Sequence, residues 1–232
     1  MGLSRADLEA DRLRRHYEQF HPELAVTPRH EFDASLERAL HVLGEGNDLW
    51  LFAYGSLIWN PLFHYSERRP ALVHGLHRRF CLWSRMGRGS PDQPGLMLAL
   101  EHGGRCHGFA FRIPAAQVRH ELTLIWRREM TIGSYDARWV RAVAGGESLR
   151  ALSFVINRRG RQYAGKLPTE EIVRVLATAR GRLGSAADYL FQTVDCLRSH
   201  GVNDASLFEL AKRVSAVHAG EAQRGGCSGA GA

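Results

Sequence analysis

LWLFAYGSLIWNP, Leu49–Pro61, is the stretch whose reading decides the fold. It opens as a short apolar run with aromatic and branched residues, which reads as a buried strand. The run breaks at Tyr54-Gly55-Ser56-Leu57, where a glycine lets the backbone turn without a Cβ clash. A rigid strand ending in a Gly-Ser turn can aim backbone N–H groups at an anionic or carbonyl oxygen. Ordinary strands end the same way, because Gly and Ser mark turns in general.

Strand signals continue downstream. Ala71–Leu76 (ALVHGL), Phe80–Ser84 (FCLWS), Leu96–Leu100 (LMLAL) and Cys106–Ile113 (CHGFAFRI) are short, apolar and read as separated by Gly/Pro turns, and GRGSPDQPG at Gly87–Gly95 is a loop by composition. Trp139–Val143 and Leu149–Ile156 add two more. Strands this crowded favour a curled sheet or barrel. Between them, Pro114 opens a helix to about Arg128, with Val118, Leu122 and Ile125 on one face.

Helices bracket the strands. Ser4–Phe20 reads as one helix ended by Pro22, and a second starts at Thr27, an N-cap candidate with Pro28 in the first turn. Phe32, Leu36, Leu40 and Leu43 line one face of that helix, and Gly44 stops it. The apolar stripe of this pair must be covered by the main domain or by a second copy, so self-association through these helices is one of two outcomes. After Pro168 come helices at Pro168–Arg180, at Tyr189–Ser199 behind a capping-box pattern Ser185–Asp188, and to about His218. The expected organisation is an N-terminal helical extension over 1–48, an α+β domain over 49–219 and a flexible tail over 220–232.

The chain carries a net charge of +7, but only Lys166 and Lys212 are lysines and the arginines are spread along the whole length. Arg-Arg pairs fall in separate elements rather than one stripe, and the strands lack the aromatic-basic pattern of a stacking surface. Neither a nucleic-acid partner nor a membrane is expected, since no apolar run approaches the roughly 20 residues of a spanning helix. The N-terminus mixes acids with its arginines and lacks the apolar stretch of a signal peptide, so a cytoplasmic location is expected. Cys81, Cys106, Cys196 and Cys227 are far apart, and His74 and His77 have no second ligand pair nearby, so no metal is inferred.

One carboxylate stands out. Glu129, in Trp126-Arg127-Arg128-Glu129-Met130, lies at the end of the apolar-faced helix, just before Thr131-Ile132-Gly133 breaks the pattern. Apolar neighbours on that helix would desolvate it and raise its proton affinity, fitting it to act as general base and then general acid. A surface glutamate paired with Arg127 or Arg128 is the plain alternative.

FAYGSLIWNP, RRF, RGSPDQPGLMLAL, GGRCHGFAFRIP, LIWRREM with Tyr135, and DYL at Asp188–Leu190 occur in this order. The series resembles the ChaC family, the glutathione-specific γ-glutamylcyclotransferases, from about Leu49 to His218. YGSLIW and WRREM are specific when found together. The resemblance implies a small mixed β-barrel flanked by helices and a reaction without metal or organic cofactor, in which glutathione is cleaved to 5-oxoproline and cysteinylglycine. It matches the family's catalytic glutamate to Glu129, its substrate-holding loop to Tyr54, Gly55, Ser56 and Leu57, and a pocket tyrosine to Tyr189. Arg79 is a further candidate, for a carboxylate of the tripeptide, with a structural role as the alternative. The family's name, drawn from an association with cation transport, supplies a second reading: a non-enzymatic regulatory partner of a transport system. An intact Glu129 and YGSL argue against it.

Overall fold

The computed structural model describes residues 2–21 and 24–226 of the chain. They group into two compact units: Leu3–Leu82 with Leu98–Gly165, and Trp83–Met97 with Gly2 and the chain from Lys166 on.

The first unit is built on a closed five-stranded barrel. Its strands are β1 (Leu49–Ala53), β2 (Glu67–Ser84), β3 (Gly95–Ile113), β4 (Tyr135–Ala144) and β5 (Glu147–Ile156), arranged β1-β3-β2-β4-β5. β1 runs antiparallel to β3, from Leu49 opposite Ile113 to Ala53 opposite Phe109. It closes the barrel by running parallel to β5, with Trp50 beside Ala151 and Leu51 beside Leu152. β4 and β5 form a hairpin turned by Gly145-Gly146, both at positive φ (57° and 85°), the backbone a two-residue turn between twisted strands demands. The buried cluster on these strands mixes small side chains, Ala71, Ala110, Ala142, Ala144 and Ala151, with larger ones, among them Phe52, Leu76 and Leu100. So few strands leave little room inside.

The strands are longer than the sequence suggests. The expected separate segments at 71–76 and 80–84 are one strand, and so are those at 96–100 and 106–113. His77-Arg78-Arg79, between the two expected segments, stays strand, its arginines donating to backbone carbonyls of the same unit. Gly103 and Gly104, at positive φ of 103° and 66°, lie within β3 and do not end it.

Four helices belong to this unit: α1 (Arg5–Glu9), α2 (Arg12–Phe20), α3 (Arg29–Leu43) and α4 (Val118–Glu129). The expected single helix over Ser4–Phe20 is two. Asp11 takes a left-handed conformation (φ 50°), which short polar side chains tolerate and no helix continues through. Ser4 starts α1 with a capping box, accepting from the Asp7 N–H at 3.2 Å while Asp7 accepts from Ser4 N–H at 3.1 Å.

Part of the apolar stripe of the N-terminal helices is covered within the chain, because α1, α2 and α3 all pack on α4, while Leu40 and Leu43 stay half-buried. Leu8, Phe32, Leu36 and Ala39 are buried. Arg5 grips the buried Glu121 through both oxygens at 2.7 and 2.9 Å. Burial pushes that carboxyl up, but the Arg5 hydrogen bonds and the His64 N–H outweigh it and hold Glu121 below the usual carboxylate range. Arg127 donates to the carbonyls of Leu8 and Glu9 at 2.9 and 2.8 Å. The fully buried Trp126 stacks edge-on to Phe154 of β5 and donates its indole N–H to Ser35 Oγ at 2.8 Å. Ser35→Ala leaves that N–H without a partner and lowers stability by about 1–3 kcal/mol, read from urea unfolding.

In the second unit, α5 (Thr169–Thr178), α6 (Ala186–Ser199) and α7 (Ala205–Gly226) pack together beside a two-stranded ribbon, β6 (Arg180–Gly181) with β7 (Gly184–Ser185). The capping box expected at the start of α6 is present, with Ser185 and Asp188 exchanging two bonds of 2.9 Å. α7 runs past the expected end near His218 as far as Gly226, and the rest of the proposed tail lies outside the described residues. Among the described residues, no helix is long and apolar enough to cross a membrane.

Candidate active site

β1 ends at Ala53, and the next residues form the Tyr54–Leu57 turn, which continues as one 3-10 turn over Ser56–Ile58. The first closing bond of that turn is Ile58 N–H to Gly55 O at 2.9 Å, so the N–H groups of Ser56 and Leu57 precede it and have no acceptor inside the turn. Because β1 and β5 are parallel, the turn sits at the barrel mouth where β5 ends and β4 begins.

Two long side chains fix its course. Tyr54 is buried and donates its phenolic O–H to Phe154 O at 2.6 Å. Arg78 donates to Tyr54 O at 2.6 Å and also bonds to His107 O. A third residue, Arg128, ties the turn to α4. Its guanidinium donates to Asn60 O at 2.6 Å and to Ser56 Oγ at 2.8 Å, while its Nε lies 3.1 Å from Glu129 Oε1.

Glu129 is the last residue of α4, and its side chain is 12% exposed. Burial pushes its carboxyl above the usual range, with the Arg128 charge opposing only in part. The carbonyl end of the helix also disfavours a negative charge there. The carboxylate and the Ser56 hydroxyl therefore meet across a single guanidinium, one tuned toward holding a proton, the other at the head of a turn rich in backbone donors.

Arg79 spends its charge within the same unit. It ion-pairs with the buried Glu101 and donates to Gly165 O at 2.9 Å. Glu101 also receives Arg158 Nε at 2.7 Å and the Tyr163 O–H at 2.6 Å, so Arg79 belongs to a network that ties the 157–165 loop to β2 and β3. Burial beside Glu101 pushes the Cys81 thiol up to about 11, leaving it an inert core group rather than a nucleophile. Tyr189 lies in the second unit, buried in the first turn of α6 with Arg88 over its ring at 5.7 Å.

The site thus brings together Glu129 and Tyr54–Leu57, and it adds Arg128 and Arg78, which sequence reasoning did not assign to it. Arg128 was visible only as a neighbour of Glu129; its bond to Ser56 spans 72 positions, and no local pattern encodes that.

Comparison with known proteins places the chain in a family. A family model described as ChaC-like protein matches residues 49–217. The chain is 38% identical over 178 residues to an Escherichia coli K12 protein named glutathione-specific gamma-glutamylcyclotransferase, covering 76% of this chain and 77% of that one. It is 34% identical over 163 residues to the human glutathione-specific gamma-glutamylcyclotransferase 1, covering 68% and 73%. A solved structure of a yeast γ-glutamyl cyclotransferase specific to glutathione superposes with a TM-score of 0.68 at 21% identity, over 72% of this chain and 96% of that one, and so shares the fold. With a matched segment that begins at the first barrel strand and carries both Tyr54–Leu57 and Glu129, this chain belongs to the ChaC-like family.

Proposed function

We propose that this protein is a glutathione-specific γ-glutamylcyclotransferase that converts glutathione to 5-oxoproline and cysteinylglycine in the cytoplasm. The observation that carries the reading is a buried carboxyl of raised proton affinity, Glu129, joined through one guanidinium to the Tyr54–Leu57 turn. The curated relatives carry the names of enzymes with this activity, and none of the names cited points to a transport regulator.

The substrate carries both reacting groups. The α-amine of the γ-glutamyl moiety attacks its own side-chain carbonyl carbon, a C–N bond closes a five-membered lactam, and the bond to the cysteinyl nitrogen breaks. Holding the chain folded for this attack can contribute about 7–11 kcal/mol relative to a bimolecular reaction. The amine is protonated at neutral pH and must give up a proton before it can attack. Glu129 takes that proton and then the second one released as the C–N bond forms, and delivers each in turn to the departing cysteinylglycine nitrogen, which leaves as an ammonium, so the carboxylate is regenerated and no water is consumed. The Ser56 and Leu57 N–H groups hold the substrate carboxylate or the oxyanion formed on attack. Tyr189 is a candidate pocket residue on the family resemblance.

Incubating the purified protein with glutathione, γ-glutamylalanine and γ-glutamylcysteine, with 5-oxoproline measured in each case, tests the reading. Release from glutathione in strong preference to the other two is expected. Release from none of the three overturns the assignment, and equal release from all three overturns its specificity.

A further inference from the structure

Thr27 does not do what its sequence position suggests. As the residue before Pro28 it is placed to cap α3, yet the helix begins behind Pro28 with no side-chain cap bond. The threonine instead faces the far end of α4. Its hydroxyl donates to Met130 O at 3.0 Å, and its N–H donates to Thr131 O at 2.8 Å. The carbonyl of Thr27 is in turn held by Arg14 at 2.9 Å. Arg14 is itself 4% exposed and lies over the Phe32 ring at 5.1 Å.

These bonds fall immediately after Glu129. The final carbonyls of a helix have no partner within it and need donors from elsewhere. At α4, Thr131 Oγ1 supplies Arg127 O at 2.7 Å, and Thr27 supplies the next two acceptors past the glutamate. A helix end left to water frays, and a proton-transferring carboxylate on its last residue would move with it. Thr27 also lies outside the segment that the family model matches, which begins at residue 49. The N-terminal segment therefore contributes something to the site that the matched domain does not supply.

We propose that Thr27 is a positioning residue that clamps the C-terminal end of α4 and so sets the placement of Glu129. The proposal rests on the cyclotransferase reading above. It assigns the N-terminal segment a part in turnover, beyond covering an apolar face. Because the clamp acts on the reacting carboxylate and touches no substrate, its loss lowers kcat and leaves KM nearly alone.

The test compares Thr27→Val, which keeps the shape and removes the donor hydroxyl, with Thr27→Ser, which restores it. Both are assayed with glutathione beside the parent and E129Q, well below the melting temperature of every variant. Thr27→Val is expected to lower kcat about tenfold with KM within about twofold, as displacement of a positioned group does. Thr27→Ser is expected to restore most of the loss. A purely structural threonine would lower the melting temperature of Thr27→Val and leave kcat at the parent value, and that result overturns the proposal. So does a fall in kcat that Thr27→Ser fails to rescue. An inactive parent, or a fully active E129Q, refutes the cyclotransferase reading and this proposal with it. An active parent, a crippled E129Q and an unimpaired Thr27→Val refute only the clamp.

Discussion

Glu129→Gln is expected to abolish most 5-oxoproline release, lowering kcat by about 10²–10⁴, the usual range for losing a positioned acid–base group. The amide keeps the size of the carboxyl, so KM for glutathione should change little. Two pH measurements make the expectation specific. In the parent, kcat/KM should rise with pH along an acidic limb set by Glu129, displaced upward from the usual carboxylate range because burial favours the protonated form. Stability should run the other way. A folded-state pKa above the unfolded one means that the folded protein binds this proton more tightly, so the parent loses stability as pH rises from the ordinary carboxylate range through the raised value. Glutamine does not titrate. E129Q should therefore melt higher than the parent at neutral and alkaline pH, with the difference shrinking in acid. An E129Q protein that turns over at the parent rate would remove Glu129 from the mechanism.

The second large effect is expected at Arg128. Arg128→Met removes the ion pair to Glu129 and both bonds that hold the 56–60 segment, leaving Ser56 Oγ and Asn60 O to find other donors. Loosening the turn and the carboxylate together should lower kcat/KM at neutral pH by about 10²-fold. The missing charge also withdraws the one influence that lowers the Glu129 pKa, so the acidic limb should move further up and alkaline pH should recover part of the loss. Arg128→Lys keeps the charge without the planar fork and should fall between the two. A profile unmoved by Arg128→Met would show that the guanidinium does not act on the carboxylate.

Local patterns carried much of the architecture. The break at Tyr54–Leu57 after an apolar strand, the amphipathic α4 and the Ser185–Asp188 box are short-range features, and short-range physics reads them. What stayed hidden depends on partners distant in sequence. The split at Asp11 leaves no gap in the helical pattern, since an aspartate suits either a helix surface or a left-handed turn. His77-Arg78-Arg79 is polar, and only the closed barrel explains why it remains strand. Arg79 matches a substrate carboxylate or a protein one equally well in the sequence, and its pairing with Glu101 depends on a partner in another strand. The glycines near the end of α7 argue for a tail, but earlier turns already bear the cost of nucleation and the helix propagates through them.

The parallel pairing of β1 with β5 bears on how the chain is made. The Tyr54 hydroxyl meets its carbonyl acceptor 100 positions later, so no ribosome-bound fragment lacking β5 can seal the cylinder. Loop-closure entropy of that length makes the step slow, and the first helices must wait with Leu8, Phe32 and Leu36 uncovered until α4 emerges. Nascent chains stalled before β5 should bind chaperones and resist refolding, whereas release of the full sequence allows closure and docking together.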